Sequence, residues 1–412
     1  MTAERGTAGG RHMARRVMLV TFSVLLSAPC LYAQKKELSE AKSYIKSGKD
    51  YDKAETLMTD LLSKDSASRQ NPKVYLTLYQ ALQKQYESGN EKLYLKEKYD
   101  TASLFSLTKK MYGTLETLDS IDALPDKKGR TETKYRKKHA GEIGPLRPNL
   151  YNGGTYYLKK DDYKTAYGYF EEYIDCAAQP LFDGYVFPDS GRHNEEAAYW
   201  ATFCGHKQKD ADMTLKHAGQ ALADTARRKF TYMHIAEAYK QKGNDSLYVK
   251  TLHDGFNDSP SFLFFFAGLM DYYKDKERTD SMLSITERAL NTDGRNKLFL
   301  FARSTVLLDV GKNEECMTVC DTLISICDTL AEPYFNAGIA CLNIILNLED
   351  RPAQQKDKEK IRSMYTVAQT YMEKYRALAP DEKDKWAFPL YRIYLNLNEG
   401  DKFDEIDKIL KK

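Results

Sequence analysis

The octet AYWATFCG at residues 198–205 is followed, at intervals of 34 residues, by YMHIAEAY (232–239), FAGLMDYY (266–273), LFARSTVL (300–307) and YFNAGIAC (334–341). Few letters repeat, yet the columns keep their character. The first column holds Ala198, Tyr232, Phe266, Leu300 and Tyr334, bulky and apolar after its first member. The fifth holds Thr202, Ala236, Met270, Ser304 and Gly338, small in every row but one, and the eighth holds Gly205, Tyr239, Tyr273, Leu307 and Cys341. Steps of four and three place these positions on one face of a helix. A fixed period of this length marks stacked helical units, each covering the apolar face that its neighbour leaves open.

The pattern extends in both directions. Upstream, a unit opens at Arg147: Leu150, Gly154 and Tyr157 lie on a first helix, Tyr163, Ala166, Phe170 and Tyr173 on a second, and Pro180 closes it. Gly154 and Ala166 are the small residues that let two helices cross closely. From Gly154 to Thr202 the count is 48 rather than 34, and the surplus is Gln179 to Arg192, with Phe182, Tyr185 and Phe187. An aromatic loop of this kind is either a contact surface or a flap folded over a neighbouring helix. Downstream, the polar stretch Asn347 to Lys358 interrupts the unit begun at Tyr334, which resumes with Tyr365, Ala368, Met372 and Tyr375 and ends at Pro380. A last pair, Trp386–Leu397 and Phe403–Leu410, closes the chain.

These residues resemble the tetratricopeptide repeat: a large residue, a small one, an aromatic, then tyrosine, alanine and phenylalanine, closing on proline. The resemblance covers most of Arg147 to Lys412 and, more faintly, Lys35 to Leu62 around Tyr51-Asp52-Lys53-Ala54. It implies an all-α fold, an α-solenoid of antiparallel helix pairs wound as a right-handed superhelix, with an atypical helical N-terminal cap. It also implies a non-enzymatic scaffold that holds peptides or protein surfaces on the faces of its first helices. By offset within the unit, the groove-facing positions are Tyr151, Asn152, Met233, Glu237, Phe264, Asp271, Phe301, Phe335 and Asn336. Rings would bury the side chains of an extended peptide and asparagines would hold its backbone. The family's carboxylate-gripping variant needs groove lysines and an arginine; Glu237 and Asp271 have the wrong sign for it.

Outside the array, the N-terminal part is expected to be helical over 34–124, with a short pair lined by Ala41, Tyr44, Ala54, Met58 and Leu61 and two longer helices near 73–87 and 92–122. Residues 125–146 carry a run of lysines and arginines and read as a charged, solvated linker ahead of the array at 147–412. Residues 1–33 read as a secretory signal: Arg15 and Arg16 precede an apolar run, Val17 to Leu26, and Ala33 offers a cleavage point, with Met13 as the start. Cys30 sits behind Ala28 and Pro29, a poor context for lipid attachment.

The chain carries a net charge of +3, and Arg5, Arg11, Arg15 and Arg16 against Glu4 account for it within the signal. The remainder is near neutral, which argues against nucleic acid as a partner. No later apolar run is long enough for a transmembrane segment. Cys176, Cys204, Cys316, Cys320, Cys327 and Cys341 remain; most fall in inward columns where a thiol packs, with a pairing of Cys316 or Cys320 as the competitor. No G-x-S-x-G, glycine-rich phosphate loop or H-E-x-x-H occurs, so no catalytic residue, metal ligand or cofactor is named; Cys204 and His206 with His217 make too thin a metal set. The expected role is an exported scaffold that binds an envelope protein or peptide, in the periplasm or cell envelope of a Gram-negative bacterium. The alternative is a carbohydrate-binding outer-membrane component using Tyr185 or Phe187. Oligomeric state is left open.

Overall fold

A computed structural model describes residues 34–125, 128–189, 191, 193–349 and 355–411. The expected signal at 1–33, Lys127 of the charged run, Arg192 and the centre of the 347–358 interruption lie outside these residues. Among the described residues the secondary structure is helical throughout, without strands. The chain separates into two compact units, Met1–His234 and Ile235–Lys412.

The first unit contains α1 (34–47), α2 (Tyr51–Lys64), α3 (Pro72–Tyr94), α4 (Thr101–Asp122), α5 (Arg136–Ile143), α6 (Pro148–Leu158), α7 (Tyr163–Asp175), α8 (Asn194–Lys207), α9 (Ala211–Lys216) and α10 (Ala218–Ala221). The helix α11 (Arg228–Gln241) begins there and carries into the second unit, followed by α12 (Asp245–Asp258), α13 (Leu263–Asp275), α14 (Thr279–Thr292), α15 (Lys297–Asp309), α16 (Asn313–Ile326), α17 (Glu332–Glu349), α18 (Gln355–Leu378), α19 (Lys383–Leu397) and α20 (Gly400–Leu410). Within each unit, helices pack chiefly on their sequence neighbours. This is the all-α array of helix pairs that the periodicity implies.

The small columns sit where expected. Thr202, Ala236 and Ser304 are fully buried, and the bulky partners Phe266 and Leu300 are buried beside them. At Gly154 an added Cβ would lie 2.7 Å from the ring of Phe170 on the opposing helix. At Gly205 it would strike the backbone of Met213 and Thr214, which cannot step aside. The crossing therefore sets a size limit at each of these positions.

A second regularity lies in the turns between paired helices. A residue in the left-handed region closes nearly every one: Gly48, Lys96, Asp161, Lys209, Gly243, Glu277, Gly311 and Asn398, with φ between 54° and 76°. From Lys209 the positions recur at 209, 243, 277 and 311, in step with the repeat. Each carries the same pair of backbone bonds, seen at Glu277 as its own N–H to Lys274 O at 3.0 Å and Arg278 N–H to Tyr273 O at 2.8 Å. This is the paired closure that satisfies the last carbonyls of a helix. In the array, the outer carbonyl belongs to the eighth column: Gly205 accepts from Asp210, Tyr239 from Asn244 and Leu307 from Lys312.

Three stretches differ from the sequence expectation. The two long helices of the N-terminal part break at Leu95, not near residue 90, because Lys96 turns left-handed and Asp100 caps α4 by accepting from Ala102 N–H. The charged stretch 125–146 contains α5, whose His139, Ala140 and Ile143 are buried. Arg136 of this helix is neutralised in place, donating to both Asp119 oxygens at 2.9 and 2.8 Å. The 347–358 interruption is largely absorbed by longer helices, with α17 running to Glu349 and α18 starting at Gln355. Met372 on α18 then meets Gly338 on α17, restoring the small-against-large crossing.

The turns give a direct test. An L-residue in the left-handed region costs about 1–2 kcal/mol, so Glu277→Gly should raise stability by about 0.5–1 kcal/mol after the extra chain entropy of glycine is deducted. Gly311→Ala, with open space around its Cβ, should lower it by about 1 kcal/mol. Calorimetric midpoints should move in opposite directions for the two variants; shifts of the same sign would contradict the turn assignment.

Candidate functional site

In the second unit, successive first helices present matching columns on one face. Ala267, Phe301 and Phe335 share one column; Phe264 and Leu298 share the next; Asp271, Thr305 and Ile339 share a third. Ala267, Asp271 and Leu298 are exposed, while Phe264, Phe301, Thr305 and Ile339 are half-buried. The result is a partly open apolar strip across α13, α15 and α17 with an acidic group at one edge. Phe264 leans on Phe262 and Phe265, with ring centroids 6.2 and 5.5 Å away.

Two predicted groove residues of this unit point into the structure. Asn336 is 6 % exposed and donates to Ser304 Oγ at 3.1 Å and Thr305 Oγ1 at 3.3 Å, tying α17 to α15. Phe335, half-buried, lies against Tyr375 of α18 with centroids 5.1 Å apart, at the edge of the apolar cluster of the last helices. Glu237 is half-buried on α11.

In the first unit, Asn152 is exposed and Met233 half-buried. Tyr151 stacks on His193 with centroids 4.4 Å apart and meets Phe170 and Tyr173 edge-on or tilted. Burial and the carboxylate of Glu196 push its phenol up to about 12. The loop aromatics turn inward: Phe182 is 3 % exposed and stacks on Tyr112, while Tyr185 and Phe187 pack on Phe182 and on each other.

The residue that holds this loop was not singled out by the sequence. Arg147, whose side chain is 2 % exposed, donates twice to Tyr173 O at 3.1 and 2.8 Å, to Asp189 Oδ1 at 3.0 Å and to Asn194 Oδ1 at 2.7 Å. Its guanidinium lies over the rings of Tyr173 and Phe187. Burial alone would raise the Asp189 carboxyl, but hydrogen bonds from Tyr173 and Gly191 and the arginine charge overcome it and hold the group below its usual range.

Folding also assembles polar groups that are distant in the chain. Lys216 Nζ bridges Glu171 at 2.8 Å and Asp175 at 2.7 Å, and His217 stands beside them. Burial lowers the His217 pKa. The ring of His234 lies 4.3 Å from that of His206, and neither His234 nitrogen has a hydrogen-bond partner. The six cysteines at and beyond Cys176 are free thiols; Cys316 and Cys320 lie on one face of α16 with their sulfurs in hydrogen-bond contact at 4.0 Å and no disulfide between them.

No family model matches the chain, and no curated protein matches it. Solved structures do. The C-terminal part of a TPR repeat-containing protein from Cytophaga hutchinsonii is 11 % identical, covering 63 % of this chain and 93 % of that one, with a TM-score of 0.41. The TPR domain of P58(IPK) is 13 % identical over 92 % and 98 % of the two chains, with a TM-score of 0.25. Yeast Tom70 is 12 % identical over 90 % and 96 %, also with a TM-score of 0.25.

His234 gives a pH prediction. It is 3 % exposed, and burial, followed by His206 and Lys207, lowers its pKa to about 3, against an unfolded value near 6.5. The unfolded chain therefore binds the extra proton first: stability is full above about pH 6.5 and is lost as pH falls toward 3. Between pH 7.5 and pH 5 the loss should be about 2 kcal/mol. His234→Phe should flatten that part of the profile, measured as urea midpoints at the two pH values; an unchanged slope would assign the effect elsewhere.

Proposed function

We propose that this tetratricopeptide-like array is an exported, non-enzymatic scaffold that holds an extended segment of another envelope protein against the first helices of its second unit. The observation that carries the reading is the strip of α13, α15 and α17. Phe264, Leu298, Phe301 and Ile339 remain open or half-open there. A strip of apolar side chains at repeat spacing suits alternate side chains of an extended peptide, and partly exposed aromatics supply the anchoring area. The helix pairs supply rigidity, so a peptide orders against a preformed surface. Export rests on the arginine pair and apolar run ahead of Ala33. Among the described residues no helix is long and apolar enough to cross a membrane. The carbohydrate reading would need Tyr185 and Phe187 as an open platform, and those rings pack on Phe182 instead.

Selection of a displayed peptide library on the full chain tests the strip. The double variant Leu298→Glu/Phe301→Ser should bind the selected peptides at least tenfold more weakly, while Leu247→Glu on a second helix should leave them unchanged. Thermal midpoints of both variants check the fold. Equal capture by the wild type and the strip variant would remove the first-helix face from the function.

A further inference from the structure

Glu171 and Asp175 lie four residues apart on α7, which places both carboxylates on one side of that helix. His217 comes from the junction between α9 and α10. One oxygen of each carboxylate and one nitrogen of the imidazole all lie within 4.8 Å of one another. His217 is 7 % exposed, its Nε2 has no hydrogen-bond partner, and that atom faces Asp175 Oδ1 at 3.7 Å. A buried ring nitrogen without a partner is an unmet demand. It is directed at a carboxylate pair that already converges on one cation.

That cation is Lys216. Its ammonium is 2.8 Å from Glu171 Oε1 and 2.7 Å from Asp175 Oδ2, so it occupies the point where the two carboxylates converge. It satisfies the oxygens but leaves His217 Nε2 unused. We propose that Glu171, Asp175 and His217 form a binding site for a divalent first-row transition ion of the zinc type, with Lys216 as the built-in cation that the metal displaces. Such an ion takes carboxylate oxygen and imidazole nitrogen together, with bonds of about 2.0–2.2 Å. The carboxylates are 34 % and 38 % exposed on their side chains and Lys216 is 47 % exposed, so the ion has an open path and the ammonium has water to move into. Three protein ligands leave a coordination position for water or for a side chain of a bound protein.

The site ties the junction of α9 and α10 to α7. α9 and α10 are short, of 6 and 4 residues, and His217 joins them. A metal bridging His217 to α7 would fasten this junction to the longer helix, so occupancy should also raise stability.

Equilibrium dialysis of the full chain against Zn2+ alone provides the test. Wild type should bind zinc with an affinity that falls at least tenfold in His217→Ala. Lys216→Met, which removes the competing ammonium, should bind about tenfold more tightly and show a larger zinc-induced rise in thermal midpoint. Should His217→Ala fail to fold, as judged by its circular dichroism melt, Glu171→Gln replaces it with the same expected loss. Absence of zinc binding, binding unaltered by loss of His217 or Glu171, or no gain in Lys216→Met would each overturn the proposal.

Discussion

The geometry of this protein depends on one backbone event repeated along it: a helix ends by passing through a single left-handed residue, and the chain reverses. The paired closure at all but the first of these turns satisfies carbonyls that would otherwise be orphaned at the helix end. Its outer acceptor is the eighth-column residue, which is also a packing residue of the same helix. Turn and crossing are thus tied together. If the left-handed residue were displaced by one position, the following helix would present a different face, and the small column would no longer meet the large one. Because most of the described pairs repeat the device, the repeats agree in register although their letters do not.

This explains what was legible in the sequence. The crossing columns could be read because size is written in residue type: Gly154 opposite Phe170 and Gly338 opposite Met372 leave little choice. The turns were legible only where glycine fills them, at Gly48, Gly243 and Gly311. At Lys96, Lys209 and Glu277 the same conformation is imposed on residues with no preference for it, because the helices on either side fix the path. The helix α5 was hidden for a different reason. A run of lysines and arginines looks solvated until its counter-charge is located, and Asp119 is contributed by another helix.

The candidate surfaces divide along the same line. Periodicity identifies which residues lie on a first-helix face, but not which of them a neighbouring element then covers. Phe301 and Phe335 share a column, yet Phe335 has the ring of Tyr375 on α18 beside it. Asn336 resembles a groove amide by position and instead satisfies two hydroxyls of α15. Positions with one local environment per repeat can be read by offset; positions at an irregular neighbour cannot.

The inserted loop shows how an irregularity is made compatible with the array. Fourteen residues beyond the repeat count would ordinarily leave a flexible excursion, yet Phe182 fills a space beside Tyr112 and Asp189 returns to α6 and α7. Arg147 makes this possible. A buried guanidinium is costly unless its donors are all satisfied, and here a backbone carbonyl, a carboxylate and an amide take them, while two rings cover the faces. The arrangement draws on α6, α7, the loop and the first residue of α8 at once, so it fixes the 48-residue spacing between two repeats as firmly as the left-handed turns fix 34. The irregular unit is therefore locked by polar geometry at the place where the apolar repeat lapses.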